Sequence, residues 1–481
     1  FSFAVADNEC YKLKDFGDIH IWEANAYAAP QPLDISSSAV IGADSKTLVK
    51  YRGEGMVIAV IDVGFNTGHE IFSLTNDNTA KLTADDVAAC VNRGMSVSNW
   101  LAYEGTSPYV NAKIPFAYDY YSQTSELTGT ADHGNHVAAI AAGNRLRATD
   151  PNAADGIAPE AQLLLMNVGD KSGKQLNDAN IYAALEDAIR LGADVINISL
   201  GKIAGFGSTD MAGRGYDRVI KRAYERGIDV VCSAGNTSKL GKGSVLDTKY
   251  GITKPRASNP DYSVLSDPSG FPFAIAAAAS VNTEYIQDNY ISASGIEVIK
   301  YNAPPNSDFT KSFGGKATQY AVVPGLGEAA DYDNINVKDK LALISRGALT
   351  FVEKLKNAAK AGAVGALIYD NTDSAELVNM AVDDGQIPCA AISKSDGLAL
   401  AAEAAGDMTI TVVTDKGKTM PAPNPGGMAD YSSWGVTTDL RLKPDVTAPG
   451  SYIYSAFNDG YGTMSGTSMA APFASGAVAL C

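Results

Sequence analysis

Residues 56–62 read Met-Val-Ile-Ala-Val-Ile-Asp, an unbroken apolar run that ends in an acid. A short run of this kind is typical of a strand buried on both faces of a parallel sheet. Three further segments have the same pattern: 163–168, 195–200 and 229–233. Helical spacing of apolar residues is found between them, at 177–191 and 216–226. The alternation predicts an open α/β sheet with right-handed crossovers. Functional groups then gather at the carboxyl ends of its strands, where Asp62 and the turn 234–236 fall.

A second α/β pattern begins after a change of texture near residue 285. A polar stretch from Tyr301 to Gly315 precedes it. Strands are predicted at 341–345, 364–369 and 387–392, and a helix at 350–361, followed by Gly362. The segment Met-Pro-Ala-Pro-Asn-Pro-Gly-Gly from Met420 is typical of a linker, and the first pattern resumes at Tyr431.

Composition excludes several classes of partner. The 481-residue chain has a formal net charge of −16, which would repel a phosphate backbone, so no nucleic acid is expected. No apolar run reaches the roughly 18 residues of a membrane-spanning helix. The cysteines are odd in number, far apart and without a Cys-x-x-Cys pair, so we interpret them as small apolar residues: Cys10, Cys90, Cys232, Cys389 and Cys481.

The strongest chemical signal is the sixteen-residue segment from Tyr461 to Gly476, Tyr-Gly-Thr-Met-Ser-Gly-Thr-Ser-Met-Ala-Ala-Pro-Phe-Ala-Ser-Gly. Glycines and small residues precede Ser468, and a helical stretch follows it. Backbone N–H groups at a helix N-terminus can stabilise an oxyanion formed when the Ser468 hydroxyl attacks a carbonyl. An isolated serine here would more often be a helix N-cap; the length of the motif favours a nucleophile.

A serine nucleophile needs a neighbouring base, and His133 in Asp-His-Gly-Asn-His-Val-Ala is the candidate. His136 competes, but its helical spacing from His133 predicts that it turns toward the packing. A metal site on this pair lacks further ligands and a His-Glu-x-x-His pattern, so no metal is predicted. The base in turn needs an orienting carboxylate, for which Asp62 is placed at the end of the first strand. Its alternative role is to cap a turn.

These segments resemble the subtilisin family of serine proteases. The matching stretches, in the order Asp, His, Ser, are Val-Ile-Asp-Val-Gly from Val60, His-Gly-Asn-His-Val-Ala from His133, Gly-Ile-Ala-Pro-Glu-Ala from Gly156, Val-Ile-Asn-Ile-Ser-Leu-Gly from Val195, Ser-Ala-Gly-Asn from Ser233 and Gly-Thr-Ser-Met-Ala-Ala-Pro from Gly466. The resemblance implies a subtilisin-like parallel sheet flanked by helices. It also implies that Ser468 is the nucleophile, His133 the general base and acid, and Asp62 the orienter.

The resemblance implies further roles. Asn236 and the backbone N–H of Ser468 would form the oxyanion hole. Substrate would pair as an extended strand with one edge formed by Ser199, Leu200 and Gly201. The opposite edge would run from Gly169 to Gly173.

Two residues depart from the family pattern. Val63 stands where Ser or Thr usually follows the catalytic Asp, and Asn135 stands where Thr usually occupies the middle of the His motif. Neither removes a triad group, so the departures bear on rate and local hydrogen bonding.

The long interval between His133 and Ser468 contains segments that resemble a protease-associated domain, including Lys-Asp-Lys-Leu-Ala-Leu-Ile-Ser-Arg-Gly from Lys338 and Ile-Pro-Cys-Ala-Ala-Ile-Ser from Ile387. With this insertion the chain resembles the lactocepin-type cell-envelope proteinases of Gram-positive bacteria. The expected domains are an N-terminal extension (1–50), a first catalytic part (51–290), the inserted domain (298–416) and a second catalytic part (425–481). The insert is interpreted as a lid or exosite, with a mere spacer as the alternative.

The expected function is that of a secreted serine endopeptidase acting on extended polypeptides through an acyl-enzyme on Ser468. The alternative is an inactive surface-binding module with a protease fold. The resemblance implies no cofactor for the chemistry, structural calcium in the loops, and an extracellular, cell-wall-attached location. It also implies that further helix and strand follow Cys481, which comes only 13 residues after Ser468, either as a continuation or as a separate fragment.

Overall fold

The computed structural model describes residues 50–481 except 128, 203–215, 239–264, 288, 305, 374–376, 379, 404–407, 415–416 and 438–440. The chain divides into two compact units. Unit 1 extends to Tyr285 and resumes at Pro421, and unit 2 comprises Ile286–Met420.

The strands of both units, in chain order, are β1 Val57–Asp62, β2 Phe116–Asp119, β3 Gln162–Asn167, β4 Val195–Ile198, β5 Asp229–Ser233, β6 Ala274–Val281, β7 Glu284–Gln287, β8 Tyr290–Ala293, β9 Ile296–Ile299, β10 Tyr301–Asn302, β11 Ala317–Val322, β12 Leu341–Ser345, β13 Gly365–Tyr369, β14 Cys389–Ile392, β15 Thr409–Val413, β16 Lys418–Pro421, β17 Gly435–Val436, β18 Leu442–Lys443, β19 Val446–Ser451, β20 Ile453–Ala456 and β21 Tyr461–Met464.

The α-helices are α1 Ala84–Asn92, α2 Ser98–Glu104, α3 His133–Ala142, α4 Asp178–Leu191, α5 Tyr216–Tyr224, α6 Phe309–Phe313, α7 Phe351–Lys360, α8 Lys394–Ala402 and α9 Thr467–Ala479.

Unit 1 is built on a seven-stranded sheet in the order β19-β6-β5-β4-β1-β3-β2, in which all neighbouring strands are parallel. All six residues of β1 are buried, as the apolar run predicts for a strand covered on both faces. The predicted parallel sheet flanked by helices is therefore confirmed. The run at 195–200 is longer than β4, which ends at Ile198, so Ser199 and Leu200 lie just beyond the strand.

Helix α4 shows why the flanking helices form where the sequence predicts them. The side chain of Asn177 accepts a hydrogen bond from the N–H of Ala179 and caps the first turn, and Gly192 ends the helix with φ +74°. Its buried face, which includes Ile181, Leu185 and Ala188, packs in the core beside the sheet. Burial of each large apolar side chain stabilises the fold by about 1.5–3 kcal/mol.

Unit 2 contains a mixed eight-stranded sheet in the order β10-β14-β13-β12-β11-β15-β8-β9. Strands β11 to β14 form its parallel centre, and the outer strands pair antiparallel. One core cluster includes Leu355 of α7 and another includes Leu400 of α8. The predicted strand at 341–345 is confirmed, but the polar stretch from Tyr301 to Gly315 holds β10 and α6, which the sequence pattern did not predict.

Three neighbouring strands of unit 1 bring distant parts of the chain together. Because β1, β4 and β5 are adjacent and parallel, their carboxyl ends lie side by side. Asp62 ends β1, Ser199 follows β4, and the turn to Asn236 follows β5. Helix α9 packs against the same strands, so its N-terminus with Ser468 can meet these groups.

Candidate active site

Asp62 is completely buried at the end of β1. Its Oδ1 accepts two hydrogen bonds, from the N–H of Val63 at 2.7 Å and from Nδ1 of His133 at 2.6 Å. Among the described residues its Oδ2 has no hydrogen-bond partner. A buried carboxylate is costly unless it is paired, and the pairing with His133 supplies a partner of opposite charge when the imidazole is protonated.

The distance between Asp62 and His133 is set by backbone contacts. The N–H groups of Gly134 and Asn135, in the first turn of α3, donate to the carbonyls of Val63 at 2.8 Å and Gly64 at 2.9 Å. These donors have no acceptor within their own helix, so the helix start is fixed to the loop after β1. Gly64 has φ +79°, and a Cβ there would lie 1.8 Å from the carbonyl oxygen of Ala131, so only glycine fits.

The imidazole of His133 is partly exposed, with 29% of its side chain accessible. Burial lowers its pKa, but the charge of Asp62 and the hydrogen bond to it act in the opposite direction and prevail, so the pKa is raised above its usual value. With the Nδ1 proton donated to Asp62, Nε2 is the nitrogen left to accept a proton.

His136 is completely buried, as its helical spacing predicts. Its Nε2 lies 3.0 Å from the carbonyl oxygen of Ile453 and 3.2 Å from that of Gly462. Burial, together with the nearby His133, lowers the pKa of His136 to about 3. It is therefore neutral near pH 7 and ties α3 to the hairpin formed by β20 and β21.

Ser468 is the second residue of α9, which confirms its predicted place at a helix N-terminus. Its Oγ donates to the carbonyl oxygen of Ser199 at 2.9 Å. The structure thus brings Asp62 and His133 into hydrogen-bond contact, and it places the hydroxyl of Ser468 on the carbonyl of Ser199, the residue after β4.

Asn236 is oriented by the residue before the serine. Both the N–H and the Oγ of Thr467 donate to Oδ1 of Asn236 at 2.9 Å, and the Oγ of Thr467 accepts from the N–H of Gly235 at 3.1 Å. The Nδ2 of Asn236 is left as a donor. It lies 3.4 Å from the position of a Cβ on Gly466, and the backbone nitrogen of Ser468 lies 3.6 Å from the same point. Two donors therefore converge beside Gly466.

The two predicted substrate edges occupy turns that follow β4 and β3. At the first, Cβ atoms added to Gly201 and Gly235 would lie 2.9 and 3.1 Å from the Cβ of Ser266, so Ser266 fills the space between these glycines. At the second, Oδ1 of Asp170 accepts the N–H groups of Lys174 and Gln175, both at 2.8 Å.

Sequence reasoning missed Thr467 and Ser266. Thr467 stands inside the motif around Ser468, and its contact with Asn236 could have been suspected from that position. Ser266 stands in no recognised motif, and only the folded chain places it between Gly201 and Gly235. Sequence reasoning also did not predict the contacts of Val63. Its side chain packs so closely on Gly169 and Gly173 that Cβ atoms added there would lie 2.6 and 3.0 Å from its methyl groups.

Among the described residues there is no group of three or more His, Cys, Asp or Glu side chains that could hold a metal ion. Oδ2 of Asp331, in the acidic segment Asp331-Tyr-Asp-Asn, accepts the N–H groups of Gly327 and Glu328 at 2.9 and 2.8 Å. Within the same described part of the chain, no helix is long and apolar enough to cross a membrane. Cys90, Cys232 and Cys389 are buried free thiols there and Cys481 is an exposed one; Cys10 lies outside the described residues.

Comparison with known proteins adds to this geometry. Residues 53–481 match the subtilase family. The chain is 33% identical over 449 residues to the C5a peptidase of Streptococcus pyogenes serotype M3, covering 89% of this chain and 35% of that protein. It is 32% identical over 460 residues to the PII-type proteinase of Lactococcus lactis subsp. cremoris, covering 90% and 22%. The chain thus spans about a third or less of the length of these relatives.

Among solved structures, the psychrophilic subtilisin-like protease Apa1 from Pseudoalteromonas sp. AS-11 aligns with 92% of this chain and 86% of its own, at 16% identity and a TM-score of 0.42. This degree of likeness adds nothing to the family match.

Proposed function

The chain belongs to the subtilase family of serine peptidases, and we propose that it is an endopeptidase whose catalytic triad is Asp62, His133 and Ser468. The observation that carries the proposal is the 2.6 Å hydrogen bond between Nδ1 of His133 and Oδ1 of the buried Asp62. Matching residue types in a family motif would not by themselves require this bond.

The bond supports one direction of proton transfer in the proposed mechanism. With the Nδ1 proton held by Asp62, Nε2 of His133 accepts the proton of Ser468 as Oγ attacks the scissile carbonyl carbon. The hydroxyl must first exchange its present acceptor, the carbonyl of Ser199, for the imidazole. Nε2 then gives the proton to the leaving amine as the carbon–nitrogen bond breaks, and the acyl group stays on Oγ. Water, deprotonated by Nε2 of His133, then attacks the acyl carbon. As the bond from this carbon to Oγ breaks, His133 returns the proton to Oγ, which releases the acid product and restores the serine.

The negative charge on the carbonyl oxygen needs donors that are already in place. Nδ2 of Asn236 and the N–H of Ser468 fit this role, because Thr467 holds the other end of the Asn236 amide and both donors adjoin Gly466. Loss of one such donor lowers kcat about 100- to 1000-fold in subtilisin itself, and we expect a loss of that order for Asn236→Ala.

We further propose that the substrate is an extended polypeptide bound between the residues 199–201 and 169–173. Both segments follow strands of the central sheet and offer backbone groups for strand addition. The second edge is held in place by the segment that leads to His133, because the N–H of Thr130 donates to the carbonyl of Lys171 at 2.8 Å. Ser266 would limit the depth of the space between Gly201 and Gly235.

Unit 2 is proposed to be an inserted protease-associated domain that limits which polypeptides are cleaved. The motifs after Lys338 and Ile387 support this, as does the compactness of Ile286–Met420. A spacer without a role in selection would leave the ratio of rates on long and short substrates unchanged when the surface of unit 2 is altered. An extracellular, cell-wall-attached location is likewise proposed from the resemblance to cell-envelope proteinases, and structural calcium from the family.

The proposed triad is tested with a fluorophosphonate probe, which phosphonylates only an activated serine. The wild-type chain should be labelled at Ser468, as located by mass spectrometry of the labelled peptide. Ser468→Ala should abolish the labelling, and Ser465→Ala, at an exposed serine three residues earlier, should not. If the folded wild-type chain remained unlabelled, the alternative of an inactive binding module would hold instead.

A further inference from the structure

Helix α9 contains a proline four residues after the proposed nucleophile. Pro472 lies inside the helix and is buried. Proline has no N–H, so the carbonyl of Ser468 cannot receive the hydrogen bond that an α-helix normally supplies from the fourth residue on. This carbonyl therefore needs a donor from outside the helix backbone if it is to be satisfied there.

Ser199 supplies that donor. Its Oγ donates to the carbonyl oxygen of Ser468 at 2.8 Å, while the Oγ of Ser468 donates to the carbonyl oxygen of Ser199 at 2.9 Å. The two serines are thus joined by a reciprocal pair of bonds. Ser468 is held to the end of β4 both through its reacting side chain and through its backbone.

Two completely buried polar side chains continue the chain of bonds behind Ser199. Nδ2 of Asn197 donates to the Oγ of Ser199 at 3.0 Å, and the Oγ of Ser475, two turns along α9, donates to Oδ1 of Asn197 at 2.9 Å. Both Asn197 and Ser475 have no exposed surface. We call these three residues, Ser199, Asn197 and Ser475, the Ser199 network.

The network settles where the single proton of Ser199 goes. When Asn197 presents its NH₂ group, the Oγ of Ser199 accepts from it and gives its own proton to the carbonyl of Ser468. If the amide were turned over, Ser199 would have to donate to Oδ1 of Asn197, and the carbonyl of Ser468 would lose its donor. In the orientation that the structure shows, the hydroxyl of Ser475 donates to Oδ1 of Asn197 and leaves Nδ2 for Ser199.

We propose that the Ser199 network is a positioning device for the nucleophile. Ser199 replaces the helix hydrogen bond that Pro472 removes, and Asn197 and Ser475 orient its hydroxyl. This role is separate from the substrate edge, which would use backbone groups of residues 199–201. It rests on the proposed function, since it presumes that Ser468 is the nucleophile. Reaction rates depend on sub-ångström placement of the attacking atom.

The test measures the rate at which a small fluorophosphonate modifies Ser468, together with kcat and KM on a short peptide ester. Ser199→Ala should slow phosphonylation and lower kcat by a similar factor, roughly tenfold, the value of one well-placed hydrogen bond. KM should change less than twofold, because the backbone of residue 199 is retained. The pH at which activity falls off should not move, because the contact of His133 with Asp62 is untouched.

Two further variants separate positioning from folding. Ser475 is completely buried and cannot touch substrate. Ser475→Ala should therefore lower kcat by a smaller factor, about threefold, without a change in KM. Pro472→Ala in the Ser199→Ala background restores an N–H toward the carbonyl of Ser468 and should recover part of the lost kcat. The matched control is Ser73→Ala, which removes a buried hydroxyl with no partner among the described residues and should leave kcat unchanged.

The outcomes distinguish this inference from the proposed function. Absence of labelling in the wild-type chain would remove the proposed function and this inference with it. Wild-type labelling with an equally fast Ser199→Ala variant would overturn the inference alone. The same holds if Ser199→Ala is slowed but Pro472→Ala gives no recovery, since the effect would then not act through the carbonyl of Ser468.

Discussion

Val63 is an unusual neighbour for Asp62, the carboxylate of the proposed triad. The side chain of Val63 faces the turn at Gly169 and Gly173 and offers no hydroxyl where the family usually has Ser or Thr. Only Oδ1 of Asp62 is hydrogen-bonded among the described residues. With few other donors on the carboxylate, its charge acts mainly on His133, whose pKa is raised.

The first prediction concerns the pH dependence of kcat/KM. Protonated His133 cannot accept the proton of Ser468, so the rate should fall as the pH drops through a pKa above 6.5, the usual value. In Asp62→Asn the burial that lowers this pKa remains while the opposing charge is gone. The acid limb should therefore move below pH 6.5, with a rate loss on the order of 10⁴, as for the same change in another Ser-His-Asp triad.

A pH series of kcat/KM on a peptide substrate measures the acid limb of the wild type and that of Asp62→Asn. Asp85→Asn, at an exposed carboxylate of α1, is the control and should keep the wild-type profile. Equal acid limbs for the wild type and Asp62→Asn would show that Asp62 does not govern the ionisation of His133.

The second prediction concerns a buried lysine outside the site. Nζ of Lys113 donates to the carbonyls of Pro159 at 2.8 Å and Ala161 at 2.6 Å, and burial lowers its pKa to about 7 despite the nearby Glu160 and Asp155. Between pH 7 and 10.5 the unfolded chain holds a proton that the folded chain lacks. The free energy of unfolding should thus rise with pH there, by about 3 kcal/mol between pH 7 and 9.5.

Lys113→Met should lose this rise. None of the three tryptophans of the chain lies within unit 2, Ile286–Met420, and the two described ones, Trp100 and Trp434, belong to unit 1. Urea unfolding followed by tryptophan fluorescence therefore reports on the unit that contains Lys113. Lys174→Met, at an exposed lysine, should keep the wild-type pH dependence. A parallel pH dependence of the wild type and Lys113→Met would contradict the assignment.

At this scale the sequence named Asp62, His133, Asn236 and Ser468, because each stands in a distinctive motif. It could not reveal Ser475 or Lys113, whose partners are brought to them only by folding. The hydroxyl of Ser475 meets Asn197 across 278 positions of sequence. No local pattern encodes such a contact.

Among the elements, the hairpin formed by β20 and β21 is hydrogen-bonded both to the loop after β1, which follows Asp62, and to the start of α3, which contains His133. At its tip, the N–H of Asn458 donates to Oδ1 of Asp132 at 2.8 Å and its Nδ2 donates to the carbonyl of Ala131 at 2.6 Å. Asn66, in the loop after β1, donates from Nδ2 to the carbonyl of Asn458 at 2.7 Å. The Nδ2 of Asn135 donates to the neighbouring carbonyl of Phe457, also at 2.7 Å.

The two hydrogen bonds of the Asn135 side chain account for Asn at a position where the family usually has Thr. An Asn side chain offers both a donor and an acceptor, and its Oδ1 accepts the N–H of Asn66 at 3.0 Å while Nδ2 reaches the hairpin. Thr would carry its donor and its acceptor on one short hydroxyl, whereas Asn135 uses two separate atoms for the two bonds. The sequence marked the departure, but the partners of Asn135 lie 69 and 322 positions away.

The third prediction follows from the hairpin tip. Asn458→Ala removes the bonds from Nδ2 to the carbonyls of Ala131 at 2.6 Å and Gly129 at 3.3 Å, both before His133. This should lower kcat/KM about tenfold, equivalent to about 1.4 kcal/mol. Asp459→Ala, at the next and exposed residue, is the control and should have the wild-type rate. Steady-state kinetics on a short peptide measures both; identical rates for the two variants would show that the tip does not position His133.

In the molecule as a whole, the two units have separate apolar cores. Leu164 belongs to the core of unit 1, and Leu343 belongs to a core cluster of unit 2. Both side chains are completely buried. The sequence predicted two α/β units because apolar runs and helical spacing recur in both, but it missed the antiparallel strands β8 and β9, which are short and only partly apolar.

The fourth prediction is that the units unfold separately. Leu343→Ala should destabilise unit 2 by about 2–5 kcal/mol and shift part of the far-ultraviolet circular dichroism transition in urea, while the tryptophan fluorescence transition stays in place. Leu164→Ala is the matched variant and should shift the fluorescence transition instead. A fluorescence shift of equal size in Leu343→Ala would show that the two units unfold as one.

The pairing of β19 with β6 has a consequence for the order of folding. These adjacent strands are separated by 446 − 281 = 165 positions of chain, which makes their contact order high and their joining slow. Unit 2 accounts for 420 − 286 + 1 = 135 of these residues, and β7 and β16, which carry its two ends, pair with each other. Once unit 2 has folded, the open loop shrinks to about 30 residues, which lowers the entropic cost of closure by about 1.5 kcal/mol. We therefore expect unit 2 to fold first and β19, the strand that leads to Ser468, to join the sheet after it.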